Sequence, residues 1–254
     1  MKHLVVLTGA GISKESGLST FRDKDGMWQN FNAQELASIQ GYRRDRAKVL
    51  EFYNARRKNL LTVEPNHAHY VLAELEKEYN VSIITQNVDD LHERAGSTNV
   101  LHLHGELRKV TGSNNPNDPK CIVEKPLDEP ILIGEKAADG SQMRPFIVFF
   151  REDVPNMAYA YRIIEKADVF AVIGTSLQVY PAAGLVDEYF SKTIDYRRSR
   201  PYRRDRENFL RLRRIPRYII DPYDIDLSNL LDFEHIKTTA VEGVDILKEK
   251  IEAL

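Results

Sequence analysis

Cysteine is nearly absent from this chain of 254 residues: Cys121 stands alone. A single thiol excludes an internal disulfide and agrees with a reducing compartment. Long apolar runs are also missing, so no segment reads as a membrane span. No leader-like stretch comes before the first strand signal, which makes a cytoplasmic protein the expectation. Neither charge sign dominates, with 36 Lys and Arg against 38 Asp and Glu. The balance is uneven along the chain, because ten arginines crowd between Thr193 and Arg217 against Asp195, Asp205 and Glu207. That block could meet nucleic acid or an acidic partner. A solvated, partly helical connection explains it more simply.

What is present suits a soluble globular protein, at 42% hydrophobic and 29% charged residues, and the length allows one large core plus a small satellite module. Short apolar runs alternate with helical patterns, which predicts βαβ units and a parallel sheet. The expected strands are His3–Leu7, Val81–Ile84, Val100–Leu103, Phe146–Phe149, Val169–Ile173 and Arg217–Ile220. The expected helices are Arg46–Leu61, Asn66–Tyr79, Met157–Lys166 and Val244–Ala253. Turn clusters at Asn114–Pro119 and Asp139–Ser141 mark residues 110–145 as an irregular excursion.

The first strand signal runs straight into Thr8-Gly9-Ala10-Gly11-Ile12-Ser13. Gly9 and Gly11 permit a tight turn and a close backbone approach to a ligand, and the N–H groups near Ile12 and Ser13 would face a pyrophosphate. Lys14 stands where a third dinucleotide-site glycine belongs, so this pair alone could equally be a plain strand–helix turn. A polar, glycine-punctuated loop follows, with Gly17, Thr20, Phe21, Arg22, Asp23, Asp25 and Gly26. Arg22 offers it a guanidinium suited to phosphate.

Later in the chain, Thr85-Gln86-Asn87-Val88-Asp89-Asp90 follows a strand. Asn87 and Asp89 could bond an amide there, or equally cap a helix continuing through His92–Ala95. His104 lies beyond another short strand, beside Gly105, and a lone histidine in such a place is more often structural than catalytic. His102 is its natural control and is expected to share its strand face. Tyr53 and Arg56 lie three apart on a predicted helix and so share a face, which the residues alone read better as a plain basic face with Arg43, Arg44, Arg46, Arg57 and Lys58.

These blocks, together with Leu103-His104-Gly105-Glu106-Leu107, Gly174-Thr175-Ser176 and Val179-Tyr180-Pro181-Ala182-Ala183, resemble the signature of sirtuins, the NAD-dependent protein-lysine deacylases. The stretches near 112–142 and 188–214 match the family poorly. The resemblance implies an α/β fold: a Rossmann-like parallel sheet with helices on both faces, plus a small inserted module. The large part is expected at about 1–31, 63–109 and 146–254, and the module at about 32–62 and 110–145. Most sirtuins hold a structural zinc in that module on four cysteines. Here Cys121 is alone and no histidine lies between His104 and His235, so no metal is expected.

The resemblance also implies NAD as cofactor and acyl-lysine proteins or peptides as substrates. It assigns His104 as general base, a role suited to a group that titrates near neutrality. Gly9, Ala10, Gly11, Ile12, Ser13, Thr20, Phe21, Arg22, Gln86, Asn87, Asp89, Gly174, Thr175 and Ser176 are implied to bind the cofactor. Among these, Ile12, Asn87 and Asp89 form the nicotinamide pocket, Gln86 meets the ribose, and Phe21 shields the reaction from water. The products implied are free lysine, nicotinamide and an O-acyl-ADP-ribose. Val148, Phe149 and Phe150 belong to the implied peptide strand.

Sirtuins that prefer acidic acyl groups carry a Tyr-x-x-Arg pair, and Tyr53 with Arg56 would suit a succinyl or malonyl carboxylate. Three places depart from the family, one being the arginine-rich stretch, which lengthens the connection from Pro181 to the Ile219 strand beyond what a usual αβ loop needs. Arg151 stands where glycine is expected, bringing bulk and charge to the peptide strand. Asp221-Pro222-Tyr223 replaces a segment that commonly offers asparagine to the adenosine ribose. Two other readings stay open: NAD hydrolysis or mono-ADP-ribosyl transfer, and a binding module without turnover.

Overall fold

The computed structural model describes residues 1–19, 33–194 and 206–254. Its first strand, β1 (His3–Thr8), is buried along its whole length, as a parallel strand covered on both faces must be. It leads into a short turn of helix, α1 (Ala10–Ser13). Next come α2 (Ala33–Leu36), α3 (Ile39–Arg44), α4 (Arg46–Leu60) and α5 (His67–Glu74). Caps set the starts of the last two. Asp45 accepts from Lys48 N at 3.0 Å, and Asn66 forms a reciprocal capping box with His69.

After these come β2 (Asn80–Thr85), α6 (Leu91–Arg94), β3 (Val100–His102), β4 (Gly105–Gly112), β5 (Val123–Glu124) and β6 (Met143–Ile147). The rest is α7 (Met157–Ile164), β7 (Val169–Ile173), α8 (Gly184–Phe190), α9 (Arg206–Leu212), β8 (Arg217–Ile220), β9 (Glu234–Ile236) and α10 (Ala240–Glu252).

Six strands form one parallel sheet in the order β3-β2-β1-β7-β8-β9. Counted within the sheet, that is the doubly wound order of dinucleotide-binding folds, with its switch point between β1 and β7. Two cores cover its faces. One gathers Leu185, Phe190 and Leu212 from α8 and α9 around Phe170, and the other gathers Leu72, Val244 and Leu247 from α5 and α10 around Leu4 and Val6.

A third core, with Leu36, Tyr42, Leu50, Tyr53, Val110, Ile131 and Phe149, belongs to the smaller part of the molecule. It includes a separate three-stranded antiparallel sheet, β5-β4-β6. Three sequence expectations change here. The strand expected at Phe146–Phe149 is β6, which ends at Ile147 and pairs antiparallel with β4 rather than joining the parallel sheet. The expected part boundaries at 109/110 and 145/146 fall inside β4 and β6, so that sheet straddles them. The helix expected to reach Tyr79 stops at Glu74 and tightens into a 3₁₀ turn.

Of the arginine-rich block, residues 195–205 lie outside the described residues. Three of its other arginines fasten the fold. Arg211 donates to Ala167 O and Glu165 O at 2.7 Å each, Arg213 to Ser191 O at 2.9 Å, and Arg217 to Ile215 O at 2.8 Å.

Candidate functional site

β1 and β7 end side by side, and the glycine segments that follow them interlock. Gly9 N donates to Ile173 O at 3.0 Å and Gly11 N to Gly174 O at 2.8 Å. A Cβ on Gly9 would lie 2.6 Å from Thr175 Cβ, and one on Gly11 would lie 2.6 Å from Gly174 Cα. The two loops therefore require glycine in order to pack against each other, which the close-approach-to-ligand reading did not anticipate. The expected free N–H near Ile12 is also spent, since Ile12 N donates to Gly9 O at 3.1 Å. The Ile12 side chain is fully buried in the sheet core with Leu4 and Val6, away from the cavity wall.

Past the end of β2, Asn87 is pinned from three sides. Its Nδ2 donates to Gly9 O and to Ser13 Oγ, both at 3.1 Å, and its backbone N donates to Thr85 Oγ1 at 3.0 Å. Ser13 Oγ in turn donates to Asp89 Oδ2 at 3.1 Å. The other Asp89 oxygen accepts from Leu91 N at 3.3 Å in a local turn, while the N-cap position of α6 is Asp90, whose side chain makes no cap bond. Burial raises the Asp89 pKa, with the Leu91 N–H and Ser13 hydroxyl opposing. Ser13, Asn87 and Asp89 thus line a recess of about 80 Å³ with Phe52, Arg56 and Leu107.

His102 and His104 do not share a face, because β3 ends at His102 and the chain bends through Leu103 and His104. Each ring instead reaches a different carbonyl of the β2 loop. His104 Nδ1 donates to Gln86 O at 2.9 Å, which fixes the neutral tautomer and leaves Nε2 with the lone pair. Burial lowers the His104 pKa, and no carboxylate offsets it. His102 Nδ1 bonds Asn87 O at 3.0 Å and Nε2 bonds Glu93 at 2.7 Å; both partners accept, so both nitrogens need protons. Burial disfavours that charge, but Glu93 outweighs it and raises the His102 pKa.

His104 lines a cavity of about 710 Å³ that opens between the sheet and the smaller part. Its walls include Gly9, Ala10, Gly11, Gln86, Asn87, Gly174, Thr175 and Ser176 on one side, with Tyr53, Arg56, Val148, Phe149 and Phe150 on the other. Val148 N donates to His104 O at 2.9 Å, tying the segment after β6 to the histidine. The Tyr53 ring packs 5.6 Å from that of Phe149, and burial pushes its phenol up to about 12 despite Arg56 nearby. Tyr53 and Arg56 therefore reach one cavity.

Arg57, expected on a basic face, is instead fully buried. Its guanidinium donates to Leu107 O and Pro126 O at 2.6 Å each and to Lys125 O at 3.1 Å. Asn54 exchanges two hydrogen bonds with the Ile131 backbone. Cys121 is buried and free, and among the described residues no three His, Cys, Asp or Glu gather as metal ligands. The donor set does not fit a tetrahedral zinc.

The turn after Phe149 was missed as a built feature. Arg144, fully buried, holds Glu152 through two bonds at 2.7 and 2.8 Å and stacks 3.9 Å from the Phe149 ring. A conserved-looking motif did not flag it, since only the acid beside Arg151 hints at a partner. Asp221, Pro222 and Tyr223 also line the cavity. Thr20, Phe21 and Arg22, expected to bind the cofactor, lie outside the described residues.

The Sir2 family pattern matches residues 9–181. A protein of Bacteroides thetaiotaomicron named NAD-dependent protein deacylase is 49% identical over 250 residues, 98% of this chain and 97% of the relative. A solved Sir2 homologue in complex with ADP-ribose superimposes with a TM-score of 0.78 at 36% identity, covering 99% of this chain and 92% of that one. Another, a Sir2 homologue with NAD, gives 0.77 at 36% identity, covering 99% and 90%.

Proposed function

The chain belongs to the Sir2 family and is an NAD-dependent protein deacylase, and we propose that it favours lysines carrying acidic acyl groups, succinyl or malonyl, over acetyl-lysine. The observation that carries this preference is the placement of Tyr53 and Arg56 in one cavity with His104. Burial keeps the Tyr53 phenol protonated, so it can donate. Arg56 supplies a guanidinium, charged at neutral pH, and Phe149 closes the apolar side. A carboxylate can accept from both the phenol and the guanidinium, whereas an acetyl methyl offers no acceptor to either.

The same reading gives the other residues their roles. With the Asn87 Nδ2 hydrogens and the Ser13 hydroxyl already given, the Asn87 amide oxygen and the Asp89 carboxylate keep acceptor capacity in a small recess, which suits the NH₂ end of a carboxamide such as that of nicotinamide. When bound, NAD supplies a ribose carbon made electrophilic by loss of its nicotinamide. His104 acts as general base through Nε2, since Nδ1 is committed to the Gln86 carbonyl. Gln86, whose Nε2 bonds Thr175 Oγ1 at 3.1 Å, stands between the two loops on the ribose side. Gly9, Ala10, Gly11, Gly174, Thr175 and Ser176 frame the rest of the dinucleotide at the switch point. Val148, Phe149 and Phe150 receive the substrate chain.

The test is nicotinamide release from NAD without peptide, with an acetyl-lysine peptide and with its succinyl-lysine counterpart. Release is expected to need peptide, to be at least about tenfold faster in kcat/KM with succinyl, and to collapse in His104→Ala. Arg56→Met and Tyr53→Phe each erase most of the succinyl advantage, by about tenfold for a charge-assisted bond. An acetyl rate equal to the succinyl rate sinks the preference. Release that ignores peptide would point to NAD hydrolysis or mono-ADP-ribosyl transfer instead, and no release to a binding module.

A further inference from the structure

Arg151 has a backbone φ of +74°, in the left-handed region that glycine adopts freely and other residues avoid. It occupies the third position of the four-residue turn Phe149–Glu152, closed by Glu152 N donating to Phe149 O at 2.9 Å. A turn with positive φ at its third position is of the kind that favours glycine there. The surroundings over-determine the geometry. Phe150 N donates to Ala37 O at 2.7 Å, Phe149 N donates to Glu152 Oε2 at 2.8 Å, and buried Arg144 clamps the same carboxylate. A strained residue held this firmly suggests that its side chain has a use.

The side chain supports that view. Arg151 is exposed, lines the cavity wall, and forms no hydrogen bond or ion pair among the described residues. The neighbouring acid cannot neutralise it, because Glu152 is already committed to Arg144. Asp153, the next acid, does not line the cavity. Arg151 is thus an open guanidinium on the cavity rim, two residues from the Phe149 ring that packs on Tyr53.

Location decides the ligand. An acyl-lysine whose acyl group reaches Tyr53 and Arg56 threads its side chain inward and leaves its peptide backbone at the mouth. Exposed residues lining the cavity include Phe150 at 43% and Tyr180 at 65% exposure, with Lys14 and Glu15 contributed by the segment after β1. The side chains flanking the acyl-lysine therefore meet this rim, with Arg151 as its open cation. We propose that Arg151 is a specificity residue that recruits an acidic side chain flanking the acyl-lysine of the substrate. This rests on the deacylase reading of the cavity, but not on which acyl group is preferred. The rim site is separate from the acyl site, since Arg56 reads the modification and Arg151 reads the neighbouring sequence. Being exposed, the contact is weakened by salt.

The experiment uses one peptide in three versions, with Glu, Gln or Lys flanking the modified lysine, each in acetyl and succinyl form. Binding is read by fluorescence anisotropy and turnover by nicotinamide release, for wild type, Arg151→Gly and Arg151→Glu. Wild type is expected to favour the Glu peptide over the Lys peptide by about tenfold at low salt, combining attraction with repulsion at an exposed site. The ratio falls toward one in Arg151→Gly and inverts in Arg151→Glu, equally for both acyl forms. Arg151→Gly suits the turn better than arginine does, so a raised Tm certifies that the variant is folded. An unchanged ratio in Arg151→Gly overturns the proposal, as does failure of any peptide to bind. Binding that follows the expected ratios without turnover would uphold the rim site while removing the deacylase reading.

Discussion

At the scale of single residues, the most informative comparison is between two histidines two positions apart. His102 gives both nitrogens to acceptors and is driven toward the charged form by Glu93; His104 gives one nitrogen to a carbonyl and is driven toward the neutral form by burial. Their environments push them in opposite directions, which is how one short segment supplies both a fixed cation and a free base. Under the proposed role, activity needs neutral His104. Because its pKa lies below the ordinary 6.5, the acid limb of kcat/KM for peptide-dependent nicotinamide release is expected to have its midpoint below pH 6.5. A midpoint at or above 6.5 would count against His104 as the base. The histidine beside Gly105 was legible in the sequence as a candidate, whereas its relation to His102 was not. The strand alternation that predicted a shared face stops at His102, and a bend of two residues leaves no periodic mark.

At the scale of elements, α4 shows how side chains of its own fasten the small module. Tyr53 and Arg56, three apart, face the cavity, while Asn54 and Arg57, also three apart and one position round, face the segment 125–131. One guanidinium fastens the carbonyls of Leu107, Lys125 and Pro126, and a carboxamide fastens Ile131. Arg57→Met keeps the stem but leaves these carbonyls without their charged donor. It is expected to destabilise the protein by about 3 kcal/mol or more, with amide exchange accelerated first across 107–131. Uniform acceleration across the main sheet as well would mean that Arg57 does not act locally. The parallel strands were legible because each is a short, continuous apolar run. The antiparallel sheet was hidden because Pro145 sits inside β6 and the β4–β6 register shifts between Glu106 and Val110. Arg57 was hidden for a similar reason: a helix pattern gives spacing, but it does not say which face a distant loop will cover.

At the scale of the whole molecule, the site and the fold share one buried polar network. His92 Nε2 lies 3.1 Å from Thr8 Oγ1, Thr8 donates to Thr85 Oγ1 at 2.8 Å, and Thr85 accepts from Asn87 N. His69 packs edge-on against His92 at 4.9 Å, and its Nδ1 accepts from Asn66 N. Burial pushes His69 down to about 4 and His92 well below its ordinary value. Both are neutral when folded, but in the unfolded chain each takes up a proton near pH 6.5. The unfolded state then binds more protons, so stability rises with pH across the interval between the two pKa values. The contribution of His69 is complete above pH 6.5 and lost progressively as pH falls toward 4. Between pH 6.5 and 5 that loss is about 2 kcal/mol, at 1.36 kcal/mol per unit. The raised His102 acts in the opposite direction, whereas His3 and His104, also lowered by burial, act with the pair at α5 and α6. Denaturant midpoints at pH 7.5 and pH 5 are expected to fall accordingly in wild type and to fall less in His69→Gln. An identical drop in both proteins would exclude the pair as the source.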